Sequence, residues 1–342
     1  MKIMVAMSGG VDSSVAAALL RDEGHEVTGV TLRLWGGQTD SGCCSVGDVE
    51  DARRVAAQLG LPHYVFNLAE QFDVSVVGPY VEEHARGRTP NPCVECNRSI
   101  KFGVLLGRAA ALGFDALATG HHARIRRAVR GDYQLLRGLD DAKDQSYVLY
   151  MLGQRELARV MLPVGELTKA EVREHATRLG LRTAAKPESM DVCFVARDQR
   201  RQFLDARAPG RPGPVVDVGG RLVARHDGVA HFTVGQRRGL GVAAGERRYV
   251  VDVDATGATV TIGRREDLLR SDIPVRDLVW VGDPVMADRE VTVQVRAHGQ
   301  PMPGRVTAAD RVTLCAPHPR VAPGQVVALY DDDALVGGGI AA

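Results

Sequence analysis

The sequence predicts an α/β protein. It opens with a doubly wound parallel sheet, continues with a small mostly-β central unit and ends with a second β unit. Three observations predict this. Strand-like and helix-like segments alternate through the first half, a pattern that calls for a parallel sheet with helices on both faces. A Ser- and Gly-rich string follows the first apolar run directly. Beyond roughly Arg197 helical periodicity nearly vanishes, and short segments alternate apolar and polar residues between turn signals.

The elements follow in order. Ile3 to Met7 reads as a short apolar strand. Asp12 to Arg21 reads as a helix with Val15, Ala16, Leu19 and Leu20 on one face, closed near Gly24. Val27 to Leu34 is the second strand. Asp48 to Leu59 is a helix with Gly60 as its C-terminal cap. His63 to Leu68 and Asp115 to Thr119 are the third and fourth strands. Thr168-Lys169-Ala170-Glu171 is a capping box opening a helix that runs to about Leu179. Tyr249 to Val253 and Val291 to Val295 alternate as strands, and Asp227-Gly228 and Thr256-Gly257 mark turns.

A chain of 342 residues is long for one core. We divide it into residues 1–197, 198–270 and 271–342. Charged residues make up 25% and the net charge is +1, so overall charge speaks neither for nor against nucleic acid, and local patches must decide. No apolar stretch approaches the roughly 20 residues of a membrane helix, and the N-terminus lacks a signal-peptide pattern. The cytoplasm is therefore expected, with no membrane partner. Six cysteines in so long a chain are no disulfide scaffold; in a reducing compartment they suggest metal binding, catalysis or packing.

The string Ser8-Gly9-Gly10-Val11-Asp12-Ser13 has the chemistry of a phosphate cradle. Gly9 and Gly10 admit an anion to the backbone. Ser8, Ser13 and Ser14 add hydroxyls, and the helix starting near Asp12 aims its N–H groups at the same point. Asp12 is a candidate for holding Mg²⁺ on the phosphates. The loop lacks the Gly-Lys-Ser/Thr ending of a Walker loop, so γ-phosphate transfer is not the expected chemistry. It resembles the signature of the PP-loop ATP pyrophosphatase superfamily, with its adenine nucleotide α-hydrolase-like fold. Those enzymes adenylate an oxygen and release pyrophosphate.

Cys93 and Cys96 form a Cys-x-x-Cys pair after Thr89-Pro90-Asn91-Pro92. That run reads as unable to continue a helix, which puts the pair on an exposed, stiff loop. A helix begun just beyond, near Arg98, would lower a nearby thiol pKa. Cys193 stands alone in Ser189-Met190-Asp191-Val192-Cys193-Phe194, where catalysis and plain packing weigh about equally. Cys43, Cys44 and Cys315 read as small buried residues.

Ser8 to Ser13, Thr89 to Pro92, Cys96-Asn97, Ile100-Lys101-Phe102, Thr119-Gly120-His121, Lys143 to Tyr147, Cys193-Phe194 and Phe232 to Arg237 occur in one order. Together they resemble the bacterial tRNA-specific 2-thiouridylase family over nearly the full length. The resemblance implies a C-terminal β-barrel and 2-thiolation of the wobble uridine of tRNA. Adenylation would turn the uracil C2 oxygen into a leaving group, and sulfur would replace it. Cys96 would be the nucleophile and Cys193 the persulfide carrier. Ala6, Met7, Ser8, Gly9, Gly10, Val11, Asp12, Ser13, Leu32 and Gly120 would surround ATP. Asn91, Pro92 and Cys93 would line the base pocket. His121, Lys143, Asp144, Gln145, Arg296 and Gln325 would contact tRNA. A sulfur donor (a cysteine desulfurase or relay protein) and a thiol reductant complete the implied partners.

One position departs from the family: many members carry Asp where this chain has Cys93. Cys93, Cys96 and Cys193 also offer three ligands to a [4Fe–4S] cluster whose fourth iron would bind sulfide. The persulfide and cluster routes both stay open on sequence. Arg124, Arg126, Arg127 and Arg130 form a basic cluster, as do Arg237 with Arg238 and Arg247 with Arg248; on one face they would make a phosphate track. The rival readings are another adenylating PP-loop synthetase, which needs no cysteine pair, and a nucleotide or iron–sulfur RNA-binding sensor without turnover.

Overall fold

A computed structural model describes residues 1–34, 46–187, 192–195, 199–242, 246–285, 287–297 and 299–342. Cys43, Cys44 and Ser189 to Asp191 lie outside the described residues.

The first unit begins β1 (Lys2–Ala6), α1 (Val11–Asp22), β2 (Glu26–Arg33), α2 (Val46–Gln58) and β3 (His63–Asn67). A helical stretch follows, built of α3 (Ala69–Phe72), a π-helix over Asp73–Val77 and α4 (Gly78–Ala85). A second comprises α5 (Pro92–Glu95), a π-helix over Cys96–Leu105 and α6 (Leu106–Ala111). Then come β4 (Ala116–Ala118), the hairpin β5 (Ala123–Arg127) and β6 (Tyr133–Arg137), α7 (Gln154–Leu157), β7 (Val160–Met161), α8 (Lys169–Arg178) and α9 (Arg200–Arg207).

Five strands form the expected parallel sheet, in the order β3-β2-β1-β4-β7. Side chains alternate across it. Ile3 and Val5 face α1, α2 and α8 through Val15, Val55 and Val172. Met4, Val30 and Leu32 face the other layer, with Phe72, Tyr80, Ile100 and Leu105. Strand order reverses at β1 and β4, so the crevice beyond their carboxyl ends is the switch point where ligands bind in such sheets. The loops that follow are Met7–Gly10 and Thr119–His122.

The central unit is a four-stranded sheet of β8 (Gly213–Asp217), β9 (Leu222–His226), β10 (Tyr249–Asp254) and β11 (Thr259–Gly263), in the order β10-β11-β8-β9. The last unit contains β12 (Leu269–Trp280), β13 (Glu290–Gln294), β14 (Met302–Ala308), β15 (Arg311–Pro319), β16 (Val326–Asp331) and β17 (Ala334–Ala341). β17 pairs with both β16 and β12, which closes these strands into a barrel. Val275, Val293, Val312 and Leu329 fill it.

Two features differ from the sequence reading. The hairpin β5–β6 leaves its own unit and adds to β17 of the barrel, with Leu135 opposite Leu335. Its Arg124 is accordingly no free phosphate ligand: it donates to Asp333 at 2.8 Å and to the Arg137 carbonyl at 2.7 Å. Cys315 is exposed on β15 rather than buried, because that face of the strand points out of the barrel.

Candidate active site

β1 delivers Met7 to the switch point, and Gly9 turns the chain with φ +73°. A side chain at Gly9 is excluded twice over, since a Cβ would stand 2.2 Å from the Asp48 carbonyl oxygen. Gly10, extended, is the N-cap of α1. It carries no capping side chain, which leaves the first N–H groups of α1 to a ligand. Ser8 N–H donates to Ser13 Oγ at 3.1 Å, and the two hydroxyls lie 3.2 Å apart. Ser14 differs from its sequence reading: it is fully buried and donates to the Gly10 carbonyl at 2.8 Å, so it builds the loop. Met7, Val11 and Leu32 are buried in the core; what they offer a nucleotide is backbone and an apolar floor.

Gly120 follows β4 and closes the other wall. A Cβ there would meet Ser13 N at 2.5 Å, so only glycine lets this loop lie against the first turn of α1. Beside it, Asp12 accepts from Lys169 Nζ at 2.7 and 2.8 Å and from His122 Nε2 at 3.1 Å. Burial pushes the Asp12 carboxyl up, but the His122 and Lys169 hydrogen bonds and the Lys169 charge outweigh it and hold the group below its ordinary value. Lys186 fastens the loop from behind, donating to Gly9 O at 2.9 Å, Asp48 at 2.6 Å and Asp51 at 2.7 Å. Neither lysine emerges as a site residue from sequence. Lys169 shows there only as part of a capping box, and nothing local ties it to a loop 157 positions away.

The cysteine pair differs from its sequence reading. Pro92 does not break the helix; it occupies the first helical position of α5, where its missing N–H costs nothing. Asn91 is the N-cap and accepts from Cys93 N–H at 3.0 Å. Cys93 thus lies in the first helical turn and is exposed, while Cys96 begins the π-helix and is buried. Cys193 is half-buried and packs against the same core cluster as Cys96, next to Phe194. Phe194 is locked edge-on against Phe72 and Tyr80, with ring centroids 5.6 and 5.3 Å away. Among the described residues no three His, Cys, Asp or Glu side chains gather closely enough to hold a metal ion.

The expected tRNA contacts divide. Gln145 is stitched to His122 by two hydrogen bonds, of 2.8 and 2.9 Å. Asp144 is 5% exposed and accepts from Arg137, Gly138 N–H and Ser146. It organises the loop instead of facing solvent, while Lys143 is half-buried and Gln145 is the exposed member. His121 is buried, 2.7 Å from the Thr119 hydroxyl. Burial first, then Lys101 and His122, hold its pKa well below the usual value, so it is neutral. Arg296 is exposed, whereas Gln325 donates to the Thr89 carbonyl. Arg237, Arg238 and Arg247 are exposed and Arg248 pairs with Glu246.

A parallel α/β sheet with a glycine-turned serine loop at its switch point defines a PP-loop nucleotide-binding enzyme. Residues 1–197 match the model described as tRNA methyl transferase HUP domain, 201–264 the tRNA methyl transferase PRC-barrel domain, and 270–341 the aminomethyltransferase beta-barrel domain. The tRNA-specific 2-thiouridylase MnmA of Roseiflexus castenholzii is 49% identical over 99% of this chain and 98% of its own. That of Chloroflexus aggregans is 50% identical over 98% and 97%. A solved 4-thiouridine synthetase–RNA complex with bound ATP covers 56% of this chain and 44% of its own, at 20% identity and a TM-score of 0.37. The chain belongs to the tRNA-specific 2-thiouridylase family.

Proposed function

We propose that this chain is an ATP-dependent tRNA-uridine 2-sulfurtransferase acting on the wobble uridine. One observation carries the reading: a single α/β unit holds an uncapped anion-binding helix start and two cysteine sites, Cys96 and Cys193, packed on one core. Methyl transfer, which the domain descriptions name, has no use for that pair. We divide the work as residues 1–197 for chemistry and 198–270 and 271–342 for support and tRNA contact.

ATP supplies the adenylate. The α1 N-terminus and the Met7–Ser13 backbone orient its phosphates, and Gly120 brings the second wall to them. A Mg²⁺ ion would rest on phosphate oxygens and on Asp12, whose carboxylate Lys169 holds in the meantime. The uracil C2 oxygen attacks the α-phosphorus and pyrophosphate leaves. An anticodon base is already largely unstacked, so presenting it to Asn91, Pro92 and Cys93 costs little. The terminal sulfur of a Cys193 persulfide attacks C2 and AMP departs. The Cys96 thiolate then attacks Cys193 Sγ, the S–S bond to the substrate breaks, and 2-thiouridine leaves a Cys96–Cys193 disulfide. A thiol reductant reopens it, and a cysteine desulfurase or relay protein reloads Cys193.

The test is anaerobic purification with iron and acid-labile sulfide counted per chain, then ATP, tRNA and a persulfide donor, with nucleosides read by mass spectrometry. Iron-free protein that makes 2-thiouridine, and loses it in Cys96→Ser and Cys193→Ser, supports the persulfide route. Product formed only by iron-loaded protein, and lost in Cys93→Ala, would replace it with the cluster route.

A further inference from the structure

Thr89 sits where the three units meet, and each of its polar atoms bonds outside its own segment. Its N–H donates to the Pro323 carbonyl at 2.7 Å. Its carbonyl accepts from Gln325 Nε2. Its hydroxyl donates to the Thr233 hydroxyl of the central unit at 3.0 Å. The barrel turn fits the segment closely, since a Cβ on Gly324 would stand 3.0 Å from the Thr89 backbone. That turn is itself fixed to β17: Gly324 N–H donates to the Ala341 carbonyl, and Ala341 N–H to the Gln325 carbonyl, both at 2.8 Å.

From Thr89 the chain runs through Pro90 to Asn91, the N-cap of α5, and Pro92 follows. Proline fixes φ near −65°, so this tether has little slack. A displacement of Thr89 passes to Cys93 in the first turn and to Cys96 in the next.

We propose that Thr89 is a positioning residue through which the barrel, by Gln325, and the central unit, by Thr233, set the geometry of Asn91–Cys93 and Cys96. Gln325 and Thr233 then act on the reaction through Thr89. The assignment rests on the thiouridylase reading.

The test uses the full chain with Gln325→Ala, Thr233→Val, Thr89→Val and Thr89→Ser. Three quantities are read: tRNA affinity, single-turnover thiolation at saturating ATP and tRNA, and the alkylation rate of Cys96 without tRNA. Gln325→Ala and Thr233→Val slow the single turnover about tenfold, the scale of a lost hydrogen bond that misplaces a reacting group. Both change the alkylation rate and leave tRNA affinity within about twofold. Thr89→Ser, which keeps the hydroxyl, stays at wild-type values. The proposal is overturned if Gln325→Ala weakens tRNA binding while the saturated rate and the alkylation rate stay at wild type. Wild-type values in every variant overturn it equally. Should Thr89→Val fail to fold, the two partner variants decide alone. A wild-type chain that made no thiouridine would defeat the functional reading, and the alkylation rates, which need no turnover, would still judge the role of Thr89.

Discussion

Asp12 shows how much of the site is decided one residue at a time. Its carboxylate is held below its ordinary pKa by bonds from His122 and Lys169, against the upward push of burial. A depressed carboxylate contributes stability that is present above its unfolded value, near 3.9, and is lost as pH falls through the lower folded one. Asp12→Asn therefore has a lower melting temperature than wild type at neutral pH, and the difference closes in melts run progressively into acid. A gap that widens in acid would contradict this pairing. His121 makes the opposite statement. Burial, Lys101 and His122 keep it neutral, so it contributes no titrating charge to tRNA binding. Between pH 6 and 8, roughly spanning the usual His range, His121→Gln and wild type show the same pH dependence of tRNA affinity, measured by filter binding. The serine-glycine string and the cysteines proposed for the chemistry, Cys96 and Cys193, are legible in sequence because their residue types and neighbours are local. Lys169 and Lys186 are not, because an ion pair made across 157 or 138 positions leaves no spacing to read.

At the scale of elements, two helix starts organise the chemistry. α1 starts without a side-chain cap, which suits the phosphate cradle proposed for it. α5 starts with Asn91 as cap and Pro92 inside the first turn. Asn91→Ala removes the bond to Cys93 N–H and costs about 1 kcal/mol in denaturant titration, whereas Asn91→Asp, still a capping residue, recovers most of it. Equal losses in both variants would show that the cap is not what Asn91 contributes. Gly120→Ala drives a Cβ to 2.5 Å from Ser13 N, and backbone cannot yield as a flexible side chain would. Calorimetry should find ATP affinity down at least about tenfold, the factor that a 1.4 kcal/mol strain produces. The sequence reading placed the cysteine pair on a stiff loop and began the next helix near Arg98, because proline ends helices in general. Here it pre-forms the first turn, and only the Asn91 cap distinguishes the two cases.

At the scale of the whole molecule, the units interlock. The hairpin β5–β6 belongs by sequence to the sheet unit and by hydrogen bonding to the barrel. A chain cut to residues 1–197 leaves the β6 edge unpaired, an exposed template for association. Limited proteolysis should cleave between β5 and β6 in that fragment and spare the site in the full chain. A fragment as resistant as the full chain would mean the hairpin stands without the barrel. The exposed Arg237, Arg238 and Arg247 are the groups proposed to neutralise tRNA phosphates. Affinity should fall steeply and linearly on a log–log plot against salt, and a flat plot would remove phosphate-led recognition.

By itself the sequence determined the alternation that makes a doubly wound sheet, the loop that turns on Gly9, and the cysteines available for sulfur. Each depends on neighbours within a few residues, where periodicity, backbone freedom and thiol chemistry are written directly. Only the tertiary structure decided that Lys169 holds Asp12 and that Asp144 is buried among the donors of its own loop. It also decided that Cys96 is buried at the start of a π-helix and that Thr89 is held by two other units. The Lys169 and Thr89 contacts join segments more than a hundred positions apart, which chain closure and packing select and no local pattern encodes.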